Sequence, residues 1–397
     1  MKEAVAGELA AAYHSGLVDE VRAAGFLYQR GRLTLHLAQE FGFCYGVDRA
    51  VDYAYQAVAR FPGRSVFLTG EIIHNPHVND RLRGNGIRFL SDPEERGHVL
   101  GPDDVVILPA FGITVEDMIR LSALGCTLVD TTCGSVLNVW KNVVRYAQDG
   151  FTAVIHGKVK HEETQATASQ ALKYPGGRYL VLLDHDDAAT VCDYIRNGGD
   201  REAFLARFGH AASPGFDPDT DLARIGCANQ TTMLMSESLE IGEMFGAAMR
   251  DRYGAERLAE HFRAFDTICS ATQERQDAVE VLLGREHVDL MIVVGGYNSS
   301  NTCNLARICA ARVQTYHISD PACLLSPERI RHRPIGAPST AKPSEVVTEA
   351  WLPSNGPIVV GLTAGASTPN NIVGQVIETL GRFTAESYSV TGGPSPE

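Results

Sequence analysis

Several familiar signatures are missing from this sequence, and each absence removes a class of protein. No stretch of about 18 apolar residues runs free of charge, so a membrane-spanning helix is not expected. Neither GxGxxG nor GxxxxGKS/T occurs, which leaves a Rossmann dinucleotide site and a P-loop without support. No CxxC pair occurs among the nine cysteines, so zinc ribbons and thioredoxin-type centres lose their usual mark. The stretch MKEAVAGELAAAYHSGLVDEVRAAG has neither a basic n-region nor an apolar h-region, and a secretory signal is not expected there. Basic residues are outnumbered, 35 against 48 acidic ones, for a net charge of −13. That balance argues against a general binder of nucleic acid or anionic membrane, while leaving room for a small basic pocket.

What is present is ordinary in bulk. With 397 residues, 44% hydrophobic and 21% charged, the chain has core enough for two or three domains without covalent staples. Nine cysteines without a signal or paired spacing point to a reducing compartment, where thiols serve metals or catalysis before disulfides. Short β-branched runs alternate with helical patterns, the mark of α/β structure with parallel strands. The expected strands are LTLHLA, VFLTG, VVILPA, CTLVD, TAVIHG, YLVLLD, ARIGCA, LMIVVGG, VQTYHIS and IVVGLTA. Helices are expected over 47–61, 135–148, 237–253 and 274–284. Two stretches read as insertions or long loops, 197–221 and the Pro-rich 326–347, and TGGPSPE reads as a mobile tail.

Two stretches nearly repeat one another: VDTTCGS at 129–135 and FDTICSA at 265–271. Each follows a short strand and precedes a helical pattern, and LTLHLAQEFGFCYGVDRAV supplies a third corner of the same kind. Cys44, Cys133 and Cys269 thus each open a block of further strands. The expected organisation is an N-terminal extension (1–32), three related α/β domains (33–132, 133–266, 267–382) and a tail (383–397). A cysteine at a helix N-terminus feels the dipole and unpaired N–H groups, both of which favour thiolate. Three such corners could hold an iron–sulfur cluster with one iron open to a substrate oxygen. The plainer reading of any one cysteine is a small core hydrophobe, and Cys126, Cys192, Cys227, Cys303, Cys309 and Cys323 are assigned to the core.

Polar residues recur where the strands end, which is where open α/β sheets bind ligands. They are His74 in EIIHNP, His161 and Glu163 in GKVKHEET, Thr231 in CANQTTM, Ser299, Ser300 and Asn301 in GGYNSSNT, and Ser367 in GLTAGAST. Hydroxyls, an amide, histidines and helix N-termini make a diphosphate cradle without Lys or Arg. Gly295, Gly296 and Gly365 would let the backbone approach such a ligand. Singly, Ser299 and Ser367 read equally well as helix caps, His74 as a loop residue and Thr231 as a strand filler. Glu163 is the carboxylate inside the His/Thr cluster and, if enclosed, would serve as a general acid; its neighbour Glu162 competes for that role on spacing alone.

The stretches GFCYGVDRAV, GEIIHNP, VDTTC, IHGKVKHEET, NQTTM, TICSATQERQ, VVGGYNSSN and TAGASTPN, spread over about 33–380, resemble the LytB family of 4-hydroxy-3-methylbut-2-enyl diphosphate reductases. The resemblance implies three α/β domains in a pseudo-threefold arrangement around a 4Fe–4S cluster held by Cys44, Cys133 and Cys269. It implies a diphosphate held by His74, His161, Ser299, Ser300, Asn301 and Ser367, and Glu163 with Thr231 as the proton relay, Glu163 being the choice that the family's His-x-Glu spacing makes. The implied reaction takes two electrons and protons, expels water from the allylic diphosphate and yields isopentenyl and dimethylallyl diphosphate. Electrons would come from an external ferredoxin or flavodoxin. PAFGIT places Phe111 where many bacterial members carry histidine, a feature resembling the cyanobacterial and plastid branch. TTCGS places Gly134 where proline usually follows the cysteine. The acidic extension is unlike a Ser/Arg-rich transit peptide, so a cytoplasmic protein is expected. Two other classes stay open: a non-reductive three-cysteine cluster enzyme, such as a dehydratase or a quinolinate-synthase-like enzyme, and an iron–sulfur redox sensor that binds no substrate.

Overall fold

The computed structural model describes residues 2–265, 267–337 and 344–385. Their contacts divide into two compact units, the first from the residues up to Tyr45, His74–Val78 and those from Glu274 onward, the second from Gly46–Ile73 and Asn79–Gln273.

The first unit is built on a five-stranded sheet in the order Leu27–Arg30, Leu33–Leu37, Ile358–Ala364, Leu290–Val294, Thr315–Ile318. The outermost pair is antiparallel and the remaining three pairings are parallel. Leu290–Val294 is buried at every position, as a strand covered on both faces must be, which is why its sequence is an unbroken apolar run. Leu33–Leu37 alternates instead, with Leu33, Leu35 and Leu37 buried and the residues between them half-buried. The long helix Asn370–Ala385 covers one face through Ile372, Val373, Val376, Ile377 and Leu380. Helix Gly16–Ala23, capped by Ser15, contributes Val18 and Val21 to the same core.

The domain plan differs from expectation in two ways. The strand expected to open the first domain, Leu33–Leu37, pairs with Ile358–Ala364 and so belongs to the sheet of the last block. The extension expected ahead of it supplies the edge strand Leu27–Arg30 of that same sheet. Sequence neighbours are the expected pairing partners, whereas here the chain's first strands complete its last sheet.

The second unit carries two four-stranded sheets, both wholly parallel. One runs Arg88–Phe89, Val66–Leu68, Val105–Leu108, Thr127–Asp130; the other runs Phe262–Ala264, Ile225–Asn229, Thr152–His156, Tyr179–Leu182. All ten expected strands are present. The segment 197–221, read as a loop, folds instead into helix Arg201–Phe208 and a short helix Pro218–Asp221. Its Phe204, Phe208 and Phe216 enter the core beside Tyr194 and Phe245, and that burial is what orders it. In the first unit, part of the Pro-rich 326–347 forms strand Arg329–His332, paired with Val346–Glu349; its residues 338–343, like the tail TGGPSPE, lie outside the described residues. No helix among the described residues is long and apolar enough to cross a membrane.

Candidate functional site

Each of the three singled-out cysteines stands immediately before a long helix: Cys44 before Tyr45–Arg60, Cys133 before Gly134–Gln148 and Cys269 before Ser270–Arg285. All three are half-buried thiols. Cys133 is the N-cap of its helix, with φ −65° and ψ 142°, and its N–H is fixed by the Ala110 carbonyl at 2.8 Å. Cys269 Sγ accepts the Thr272 N–H at 3.3 Å and lies 3.0 Å from the Thr272 hydroxyl, so sulfur takes the capping role an oxygen usually fills. Helix ends supply N–H groups and positive potential to each sulfur. Each corner, taken by itself, thus offers a half-buried thiol at a helix N-terminus, a donor of the kind that iron–sulfur clusters use.

The other cysteines differ in kind. Cys126, Cys192, Cys309 and Cys323 are buried, as expected. Burial pushes the Cys192 thiol up to about 11 and Cys309 up to about 12, which makes them poor ligands. Cys227 is half-buried but packs against the core and burial pushes its thiol up, in line with a core position, whereas half-buried Cys303 departs from that expectation. Cys303 has polar partners, with Arg333 Nη1 at 2.9 Å and the Tyr297 carbonyl at 3.4 Å from its sulfur.

In the second unit the polar residues form a connected cluster. His161 caps helix Glu162–Ala171, its Nδ1 accepting the Glu163 N–H at 3.2 Å. Glu163 is 3% exposed, whereas Glu162 is exposed, so the fold separates two carboxylates that spacing could not. Glu163 Oε1 accepts the Thr231 N–H at 2.6 Å, and the Thr231 carbonyl accepts the Cys269 N–H at 3.4 Å. One residue's backbone therefore joins the enclosed acid to a cysteine corner. Gln230 braces this arrangement, its Oε1 accepting from the Thr164 hydroxyl at 3.1 Å and the Lys158 N–H at 3.2 Å. Phe111 packs edge-on against His161, with ring centroids 6.2 Å apart, so it shapes the histidine's surroundings without offering a side-chain hydrogen bond.

In the first unit Ser299 is the N-cap of helix Ser300–Ala310, accepting the Thr302 N–H at 3.3 Å. The helix N-terminus that Ser299 caps also presents Ser300 and Asn301, both buried, an arrangement that suits an anion. Asn301 Oδ1 accepts the Ala366 N–H at 2.9 Å, which leaves its buried Nδ2 without a partner, a donor available to a ligand. Ser367 Oγ donates to the His74 carbonyl at 3.3 Å, tying the two together. Two of the glycines meet groups of the protein itself closely. A Cβ at Gly296 would lie 2.3 Å from the His74 carbonyl, and one at Gly365 would lie 1.9 Å from Thr302 Oγ1. Both are reserved for close approach by the protein's own groups.

Sequence reasoning passed over Thr302, whose buried Oγ1 has no partner, and Thr272 and Gln230, although all three lie inside the quoted motifs.

Comparison with known proteins matches residues 35–381 to the family described as LytB protein. A Gloeobacter violaceus protein named 4-hydroxy-3-methylbut-2-enyl diphosphate reductase is 50% identical over 388 residues, 96% of this chain and 90% of that one. A Thermosynechococcus vestitus protein of the same name is 48% identical, covering 95% and 92%. Among solved structures, that of an (E)-4-hydroxy-3-methyl-but-2-enyl diphosphate reductase, described as the terminal enzyme of the non-mevalonate pathway, aligns with a TM-score of 0.52 at 26% identity, covering 88% of this chain and 99% of that one. A Plasmodium falciparum structure aligns with a TM-score of 0.60 at 20% identity over 87% of each chain, a likeness of fold.

Proposed function

Because the chain belongs to the LytB family, we infer that it reduces (E)-4-hydroxy-3-methylbut-2-enyl diphosphate to isopentenyl and dimethylallyl diphosphate, the closing step of the non-mevalonate route to isoprenoids. The observation that carries this reading to the residues is the enclosed Glu163, one residue's backbone away from the Cys269 corner.

Cys44, Cys133 and Cys269 are the proposed ligands of one 4Fe–4S cluster. When bound, such a cluster with three protein ligands supplies electrons and a Lewis-acidic iron. The chain's own residues supply the rest. The N-terminus of helix Ser300–Ala310, with Ser299, Ser300 and the spare amide of Asn301, binds the diphosphate by neutral donors and helix dipole, joined by Ser367, His74 and His161. Net, one substrate takes two electrons and two protons; the allylic C–O bond breaks, the hydroxyl leaves as water and a carbon receives the second proton. Glu163, screened from bulk water, holds the proton for the departing hydroxyl, and Thr231 completes the relay.

Electrons come from an external one-electron carrier of the ferredoxin or flavodoxin class. Nine cysteines without paired spacing suit a reducing compartment, and we assign the protein to the cytoplasm. An anaerobic assay with the hydroxylated allylic diphosphate and an artificial reductant tests the whole reading: consumption of substrate with release of the two C5 diphosphates is expected. A brown protein that binds no substrate would instead be a sensor. Cys→Ser at 44, 133 or 269 should each lower iron content, and full retention in any variant removes that ligand.

A further inference from the structure

The loop leading to Cys44 is held from three directions, all inside the first unit. Its backbone rides on strand Ile358–Ala364 and the turn beyond that strand: Ala38 N–H donates to the Leu362 carbonyl at 2.9 Å, Gly42 N–H to Ala364 at 3.2 Å and Cys44 N–H to Ala366 at 3.1 Å. From the core side comes Arg275, only 3% exposed. Its Nε and Nη2 donate to the Gly42 carbonyl at 3.2 and 2.7 Å, and Nη2 also donates to the Phe43 carbonyl at 3.2 Å. A planar guanidinium can bracket two successive carbonyls in this way; an ammonium cannot reproduce the fork. From a third side the N-terminal helix Lys2–Tyr13 lays Tyr13, 7% exposed, against Phe43, with ring centroids 5.5 Å apart. Gly42 itself has φ +72°, and a Cβ there would lie 2.9 Å from Asn370 Oδ1, so the loop has one tight backbone shape.

We propose that Arg275 and Tyr13 are positioning residues for Cys44, fixing the peptide just before it so that the thiol is presented already shaped as a ligand. The N-terminal extension thereby acquires a task, as a buttress of one cysteine corner. The proposal rests on the reading of Cys44 as a cluster ligand. Residues behind a ligand commonly set its orientation, and their loss weakens metal binding even when the ligand remains.

The test uses full-length protein carrying Arg275→Lys or Tyr13→Leu. In protein freed of iron, iodoacetamide labelling of Cys44 and Cys133 is followed by peptide mass spectrometry. After anaerobic reconstitution, iron content, loss of iron to a chelator and the low-temperature EPR spectrum are recorded. Arg275→Lys should label about tenfold faster at Cys44, bind iron about tenfold more weakly and shift the EPR signature, while Cys133 labelling changes by less than about twofold. Tyr13→Leu, which leaves the buried guanidinium in place and so stands in should Arg275→Lys fail to fold, should move the same readouts in the same direction by less. Unchanged Cys44 labelling in both variants would overturn the proposal. Equal acceleration at Cys44 and Cys133 would also overturn it, since that is general loosening. Labelling is read without iron, so a wild-type protein that never takes up a cluster sinks the reductase reading separately.

Discussion

At the scale of single residues, the pair Glu162 and Glu163 shows how one position along a helix separates two identical carboxylates. Glu163 lies in the first turn, buried, with its oxygen on the Thr231 N–H, whereas Glu162 is exposed and its carboxylate lies within 4.8 Å of a His161 ring nitrogen. Glu163→Gln keeps an amide oxygen for Thr231, so the fold and the cluster absorption should persist while kcat falls by about 10²–10⁴. Glu162→Gln should stay within about twofold; the reverse pattern in steady-state kinetics would move the acid to Glu162. The setting among His and Thr left Glu162 and Glu163 in competition and the family's His-x-Glu spacing chose Glu163, yet the sequence hid that Thr231 is engaged through its backbone, because side-chain chemistry is all a sequence displays. Arg275 was wholly illegible. Its partner carbonyl belongs to a residue 233 positions away, and nothing local marks an arginine that serves peptide groups.

At the scale of elements, Gly134 is the instructive case. It opens helix Gly134–Gln148, nothing lies within 4 Å of where its Cβ would be, and the preceding Cys133 has the extended backbone that proline requires before it. Glycine in the place of proline therefore acts on the freedom of the unfolded chain more than on the folded corner. Gly134→Pro should raise the melting temperature, by stabilising about 0.5–1 kcal/mol, without reducing iron content. A lowered melting temperature would mean the glycine is needed. Ten strands were readable because each is a continuous or alternating apolar run. The short strands Leu27–Arg30, Arg88–Phe89 and Phe262–Ala264 were not, since two to four residues carry no period and their pairing partners define them. In 197–221, acidic residues and glycines masked Phe204 and Phe208, whose i, i+4 spacing was the available helical signal.

At the scale of the molecule, two enclosed histidines tie stability to pH. Burial above all lowers His156 to about 4, with Ser238 Oγ 2.8 Å from its Nδ1; burial likewise lowers His317 to about 4, with Nε2 3.0 Å from the Gly295 carbonyl. The unfolded chain takes up these protons near pH 6.5 and the folded one only near pH 4. Each therefore contributes nothing adverse above about pH 6.5 and costs up to about 3 kcal/mol as pH falls to about 4. The melting temperature should drop between pH 7 and pH 5, and His317→Gln should flatten that slope; an unchanged slope would locate the acid sensitivity elsewhere.

The pairing of Leu33–Leu37 with Ile358–Ala364 bears on how the molecule is made. A nascent chain emerging from the ribosome exposes the apolar side of Leu33–Leu37 well before its mate Ile358–Ala364 has been translated. That edge stays unsatisfied until the distant strand emerges, a period in which chaperone cover or temporary collapse onto the preceding helices would decide between folding and aggregation.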